Sequence, residues 1–188
     1  LSAMHMQAGN DAKALAALEG AYNLGMLTES TELLRLANYL AFAGIPHRAA
    51  RVMEKAMKEG TIESNAANYK TLANYWHQAK ELDPAIDTLA KSYKLAPSAD
   101  LQLKMARMMI QSKRYQDLVA FAAKPAANAS GEQRADLKFL TGVAYFEQQK
   151  PKEALNAFTQ AAQHGNVSGR ASPWISFLKE QQGGAVTQ

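Results

Sequence analysis

Four stretches of this chain fall into one register when the small residues Ala37, Ala73, Ala106 and Gly142 are aligned, at separations of 36, 33 and 36 residues. Three positions later stand Leu40, Trp76, Met109 and Tyr145, all large and apolar. Twelve positions after the small residue come Ala49, Ala85, Leu118 and Ala154. Then follow Met53, Leu89, Ala122 and Phe158, and after them Ala56, Ser92, Pro125 and Ala161. A period near 34 residues marks a stack of like supersecondary units. Each unit cannot bury its apolar stripe alone, so neighbours must cover it.

The unit is a helical hairpin. In its first half Tyr69, Leu72, Ala73 and Trp76 are spaced as one face of a helix. The second half opens after a turn, at Gly44-Ile45-Pro46, Asp83-Pro84 and Lys150-Pro151. Proline is favourable at a helix entry, where its missing N–H would have no partner anyway. Small residues on the first helix let the second approach, and the large ones fill the space between hairpins. The chain holds 36 Ala among 188 residues, with 47% hydrophobic and 20% charged residues, enough to bury a core. No β-branched run alternates with period two, which excludes an all-β fold.

These residues resemble the tetratricopeptide repeat (TPR) pattern. The second repeat matches it at Tyr69, Leu72, Ala73, Trp76, Ala85, Leu89, Ser92 and Pro97, and the fourth at Gly142, Tyr145, Ala154, Phe158 and Ala161. The resemblance implies an all-α, right-handed superhelical solenoid of antiparallel helix pairs. Its units would be an N-terminal segment with half of an earlier repeat over 1–29, then repeats over 30–65, 66–98, 99–134 and 135–166, and a capping helix with a frayed tail over 167–188. The third repeat departs from the pattern, because Leu118 replaces a small residue and Pro125 falls where a helical residue belongs. Its second helix should run only from about Tyr115 to Ala123, followed by a loop from Ala126 to Gly131. Ala14, Leu18 and Ala21 are spaced like a second helix lacking its partner, so either the native protein extends N-terminally or Leu1 begins a trimmed stretch. Starting at Leu1 without a basic-then-apolar leader, the chain reads as a mature chain or an excised fragment. Ser172-Pro173-Trp174 reads as an N-cap followed by proline at the first helical position, with Trp174, Phe177 and Leu178 facing the last hairpin. Gly183-Gly184 and the four residues after them should fray. The segments Gly25-Met26-Leu27, Glu32-Leu33-Leu34 and Trp174 are also similar to bacterial, periplasmic TPR proteins encoded beside TonB systems. That resemblance implies a periplasmic setting. The absence of Cys fits an oxidising compartment and the cytoplasm equally.

Nothing in the sequence assembles a catalytic site, and the chain reads as non-catalytic, with no cofactor and no metal. No phosphate-binding loop, nucleophile elbow or zinc-binding His-Glu-x-x-His string occurs. His5, His47, His77 and His164 lie at least 30 residues apart, without carboxylates at metal-ligand spacing. The net charge of +4 is spread among both signs, unlike the dense basic stripe of a nucleic-acid binder. No apolar run reaches the roughly 18–20 residues of a membrane span.

In TPR arrays the first helices line a concave groove. The register places Leu34, Arg35, Asn38 and Phe42 there, then Lys70, Thr71, Asn74, His77 and Gln78. The third repeat adds Asp100, Leu103, Lys104, Arg107 and Gln111, and the fourth adds Asp136, Phe139, Val143, Phe146 and Glu147. Arg35, Lys70, Lys104 and Arg107 thus form a basic strip beside the amides of Asn38, Asn74 and Gln78. Such a strip suits an acidic segment or a C-terminal carboxylate through charge-assisted hydrogen bonds. Lys70 and Asn74 match two positions of the carboxylate clamp of some TPR proteins. Lys104 replaces the next Asn, and Asp136 and Leu140 replace the final Lys and Arg, which argues against a full clamp. At the far end Phe139, Val143 and Phe146 await a peptide, a second copy or the C-terminal helix folding inward. The leading reading is a protein-protein interaction module with a peptide or protein partner. A self-associating scaffold is the alternative, and an RNA-binding helical repeat is the weaker third.

Overall fold

The computed structural model describes residues 11–184. Among them are ten helices and no strand. The helices are α1 (Asp11–Asn23), α2 (Ser30–Phe42), α3 (Pro46–Lys58), α4 (Ala66–Gln78), α5 (Leu82–Leu95), α6 (Ala99–Gln111), α7 (Tyr115–Ala122), α8 (Gly131–Glu147), α9 (Pro151–Ala161) and α10 (Gly165–Gly184). They divide into two compact units, one holding α1 to α5 and the other α6 to α10.

Each hairpin turn is built the same way, seven positions after the small residue. Gly44, Lys80, Lys113 and Gln149 all have positive φ, at 78°, 64°, 59° and 59°. In each, the next amide reaches back over the turn: Ile45 to the Leu40 carbonyl, Glu81 to Trp76, Arg114 to Met109 and Lys150 to Tyr145, at 2.8 to 3.0 Å. This is the Schellman closure of a helix C-terminus, and it satisfies carbonyls that the helix itself leaves unpaired. Only the first turn uses glycine; the other three hold a left-handed residue with a side chain. Pro46 and Pro151 sit in the first turns of α3 and α9. Pro84 is the third residue of α5, which begins at Leu82, still within the turn whose amides need no intrahelical partner.

The first unit buries the register residues Ala37, Leu40, Ala49, Met53, Ala73, Ala85 and Leu89 completely. Helix α1 packs on α2, and Ala14 and Leu18 are buried, so its apolar side is covered within its own chain. Side-chain caps begin α4 and α6: Asn65 accepts from the Asn68 amide at 2.9 Å, and Ser98 from the Leu101 amide at 3.3 Å.

In the second unit, α7 has 8 residues and ends at Ala122, ahead of Pro125. Its early end is closed by Gln102 of α6, which is 1% exposed. The Gln102 amide donates to the carbonyls of Phe121 and Lys124 at 3.3 and 2.9 Å and accepts from the Ala126 amide at 2.8 Å. Helix α8 starts at Gly131, where the loop from Ala126 was expected to end, and runs to Glu147. A capping box is responsible: Ser130 accepts from the Gln133 amide and Gln133 accepts from the Ser130 amide.

The C-terminal helix corrects a further expectation. Ser172 is not an N-cap, because α10 starts at Gly165 and holds Pro173 in its interior. The residue four positions before Pro173, where the proline ring crowds the backbone, is Gly169, whose Cβ position is open. Helix α10 continues through Gly184, and the rest of the tail expected to fray, 185–188, lies outside the described residues, as does His5.

Candidate functional site

The first helices carry the expected site residues, and their surroundings differ between the two units. On α2 and α4, Arg35, Asn38, Lys70 and Gln78 are exposed, and Asn74 and His77 are half-buried. Lys70, Asn74, His77 and Gln78 share one face of α4 by their spacing of four, three and one. Arg35 and Lys70 form no ion pair among the described residues. The two helices are tied by Tyr75, whose hydroxyl donates to Asn38 Oδ1 at 2.6 Å. Tyr75 is 5% exposed, and burial raises its pKa above the usual tyrosine range, so it stays a donor. That bond orients Asn38 and leaves its amide nitrogen for another acceptor.

In the second unit the strip is more internally compensated. Arg107 lies 3.9 Å from Asp136, and Asp136 also pairs with Arg170 of α10. The Arg170 guanidinium in turn sits 4.9 Å from the centre of the Phe139 ring. Asp100 accepts a hydrogen bond from Gln133 at 2.8 Å. Lys104 is half-buried on α6. Leu103, expected in the groove, is instead 6% exposed and belongs to the core, because its side of α6 packs inward. At Glu147, the Tyr115 hydroxyl donates at 3.3 Å, and desolvation together with the Glu147 charge and hydrogen bond raises the Tyr115 pKa.

Of the three occupants considered for the aromatic end, the structure places the C-terminal helix there. Phe146 meets Trp174 edge-on at 5.0 Å and Phe177 at 6.1 Å, and Phe139 meets Phe158 at 5.5 Å. Trp174 stacks on Phe158 at 5.3 Å with planes 18° apart. Phe139 and Phe146 are therefore half-buried packing residues.

Sequence reasoning passed over Tyr75, Asp136 as an ionic hub, and the cations of α3. Arg48, Arg51, Lys55 and Lys58 recur at spacings of three, four and three, a one-sided stripe that periodicity alone reveals. No group of His or acidic residues able to hold a metal occurs among the described residues. No described helix is long and apolar enough to cross a membrane.

No protein-family model matches the sequence, and no curated protein matches it. Solved structures do share its fold. A crystal structure of MamA superposes with a TM-score of 0.61 at 18% identity, covering 90% of this chain and 97% of that one. The C-terminal part of a TPR repeat-containing protein from Cytophaga hutchinsonii gives 0.65 at 10% identity, covering 100% and 72%. A MamA fragment from Desulfovibrio magneticus gives 0.56 at 13%, covering 80% and 83%. The chain thus has a TPR-like helical-repeat fold, the class its register implied. None of these proteins is described as part of a TonB system.

Proposed function

We propose that the chain is a non-catalytic protein-protein interaction module, and that the first helices of its first unit form the face that receives a peptide. The observation that carries this reading is the row of outward polar groups, Arg35, Asn38, Lys70, Asn74, His77 and Gln78, on two helices of a TPR-like fold. Arg35 and Lys70 supply uncompensated positive charge, and Asn38 supplies an amide oriented by Tyr75. Together these groups suit a peptide backbone ending in a carboxylate. In the second unit, taken by itself, Asp136 already draws on Arg107 of α6. A periplasmic role beside a TonB-type system is the finer form of this proposal. It rests on the sequence pattern of Gly25-Met26-Leu27, Glu32-Leu33-Leu34 and Trp174.

The test compares the chain with an Arg35→Ala/Lys70→Ala variant, both positions being exposed and separable from the core. Partners crosslinked to the wild-type chain in a native extract should be recovered several-fold less by the variant. Their C-terminal peptides should bind more weakly once amidated. Equal recovery by both proteins would remove the first-helix face from the proposal. The compensated charges of the second unit disfavour RNA, which needs cations at many phosphates and a steep loss of affinity with salt.

A further inference from the structure

The first unit also carries a cleft of about 850 Å³, lined mainly by the second helices α3 and α5, with Tyr69 and Leu72 of α4, and by none of Arg35, Asn38, Lys70, Asn74, His77 and Gln78. Its volume is within the range of about 300–1,000 Å³ usual for ligand-binding pockets. Helix α3 lines it with Arg48, Arg51, Lys55 and Lys58, and α5 adds Lys91. The buried side chains of Val52, Met57 and Leu72 form an apolar floor. Among the described residues that line the cleft, Glu54 is the one carboxylate beside these five cations.

Ion pairing leaves part of this charge uncompensated. Arg48 pairs with Glu19 at 2.5 Å, Lys55 lies 3.9 Å from Glu59, and Arg51 lies 3.7 Å from Glu54 with its side chain 67% exposed. Lys58 and Lys91 form no ion pair among the described residues. The cleft's tyrosines are already engaged. Lys55 lies over the Tyr22 ring at 5.8 Å and Lys91 over the Tyr69 ring at 5.7 Å. Rings capped by lysine are poor platforms for stacked bases, whereas the lysine heads that cap them still face an incoming carboxylate.

We propose that this cleft is a second binding site, for an internal acidic segment of a protein partner in which apolar residues alternate with Asp or Glu. The carboxylates pair with Arg51, Lys58 and Lys91, and the apolar side chains cover Val52, Met57 and Leu72. Charge complementarity selects the partner and the apolar floor retains it. Nothing in this site needs a chain terminus, which separates it chemically from the first-helix face.

The probe is a fluorescein-labelled peptide of alternating Glu and Leu, acetylated and amidated at its ends, followed by anisotropy against the whole chain. Saturable binding is expected, weakened about tenfold by Arg51→Glu/Lys58→Glu and unchanged by Arg35→Ala/Lys70→Ala. Both cleft positions are exposed, and an unaltered circular dichroism melt confirms that the variant folds. Full affinity in the Lys58→Glu/Lys91→Glu variant as well as in the first would overturn the proposal. So would the absence of saturable binding, or equal binding of a single-stranded thymidine 20-mer. Loss of peptide binding in the Arg35→Ala/Lys70→Ala variant alone would overturn it while supporting the first-helix face.

Discussion

Single residues decide how closely the hairpins nest. Gly142 stands where the other three repeats have alanine, and it faces the largest residue of the second-helix series, Phe158. A Cβ at Gly142 would lie 2.7 Å from two carbons of the Phe158 ring and 3.0 Å from a third. That ring is fully buried and stacked on Trp174, so it has little room to move. Gly142→Ala should destabilise the chain by about 1–3 kcal/mol through overpacking, read by urea denaturation, and Phe158→Leu in the same chain should recover part of the loss. Gly20 is the opposite case, a glycine inside α1 with nothing among the described residues within 4 Å of its Cβ position. Gly20→Ala should add about 0.5–1 kcal/mol by removing backbone freedom from the unfolded chain.

Tyr75 gives a prediction with a pH sign. Its folded pKa is raised by burial, so the stability it contributes is complete below the ordinary tyrosine value near 10 and is lost as pH rises through the folded pKa. The melting temperature should therefore fall at alkaline pH. Tyr75→Phe should flatten that fall and cost about 1 kcal/mol at neutral pH through loss of the bond to Asn38. An unchanged alkaline limb in the variant would show that another group is responsible.

At the scale of the element, the third hairpin shows how a degenerate repeat is repaired. Pro125 made the early end of α7 readable from the sequence. The means of closing it was not, because Gln102 reaches its carbonyl partners across 19 and 22 residues. Gln102→Leu would fill the same space and leave two carbonyls and the Ala126 amide without that partner. We expect a loss of about 2–3 kcal/mol, with faster hydrogen exchange confined to α7 and the following loop. Uniform exchange across α6 to α9 would contradict this local role. The longer α8 begins instead on a local signal, the capping pair Ser130 and Gln133, which is visible in the sequence.

Across the whole molecule, the structure changes what the net charge of +4 means. Cations of α3 and the first helices face outward in the first unit, whereas Arg107 and Arg170 of the second converge on Asp136. The apolar side of the last hairpin is covered by α10 rather than offered to a partner. Trp174→Ala should uncover Phe146 and Phe158, lowering stability by about 3 kcal/mol, raising binding of a hydrophobic dye and reducing exchange protection through α8, α9 and α10. A variant that melts like the parent would mean that this helix is not needed to seal the core.

The sequence by itself determined the helices, their pairing into hairpins and the small-residue contacts, because these depend on i, i+3 and i+4 neighbours and on a register repeated four times. Proline and cap residues marked most helix ends for the same local reason. Tertiary structure alone decided that Leu103 turns inward, that Tyr75 holds Asn38, that Asp136 draws in two arginines and that α10 begins at Gly165. Asn38 and Tyr75 are 37 residues apart, and Asp136 and Arg170 are 34 apart. Such pairs lie one repeat away from each other, so whether they meet depends on how one hairpin docks on the next. The burial of Leu103 likewise follows from which side of α6 that docking covers.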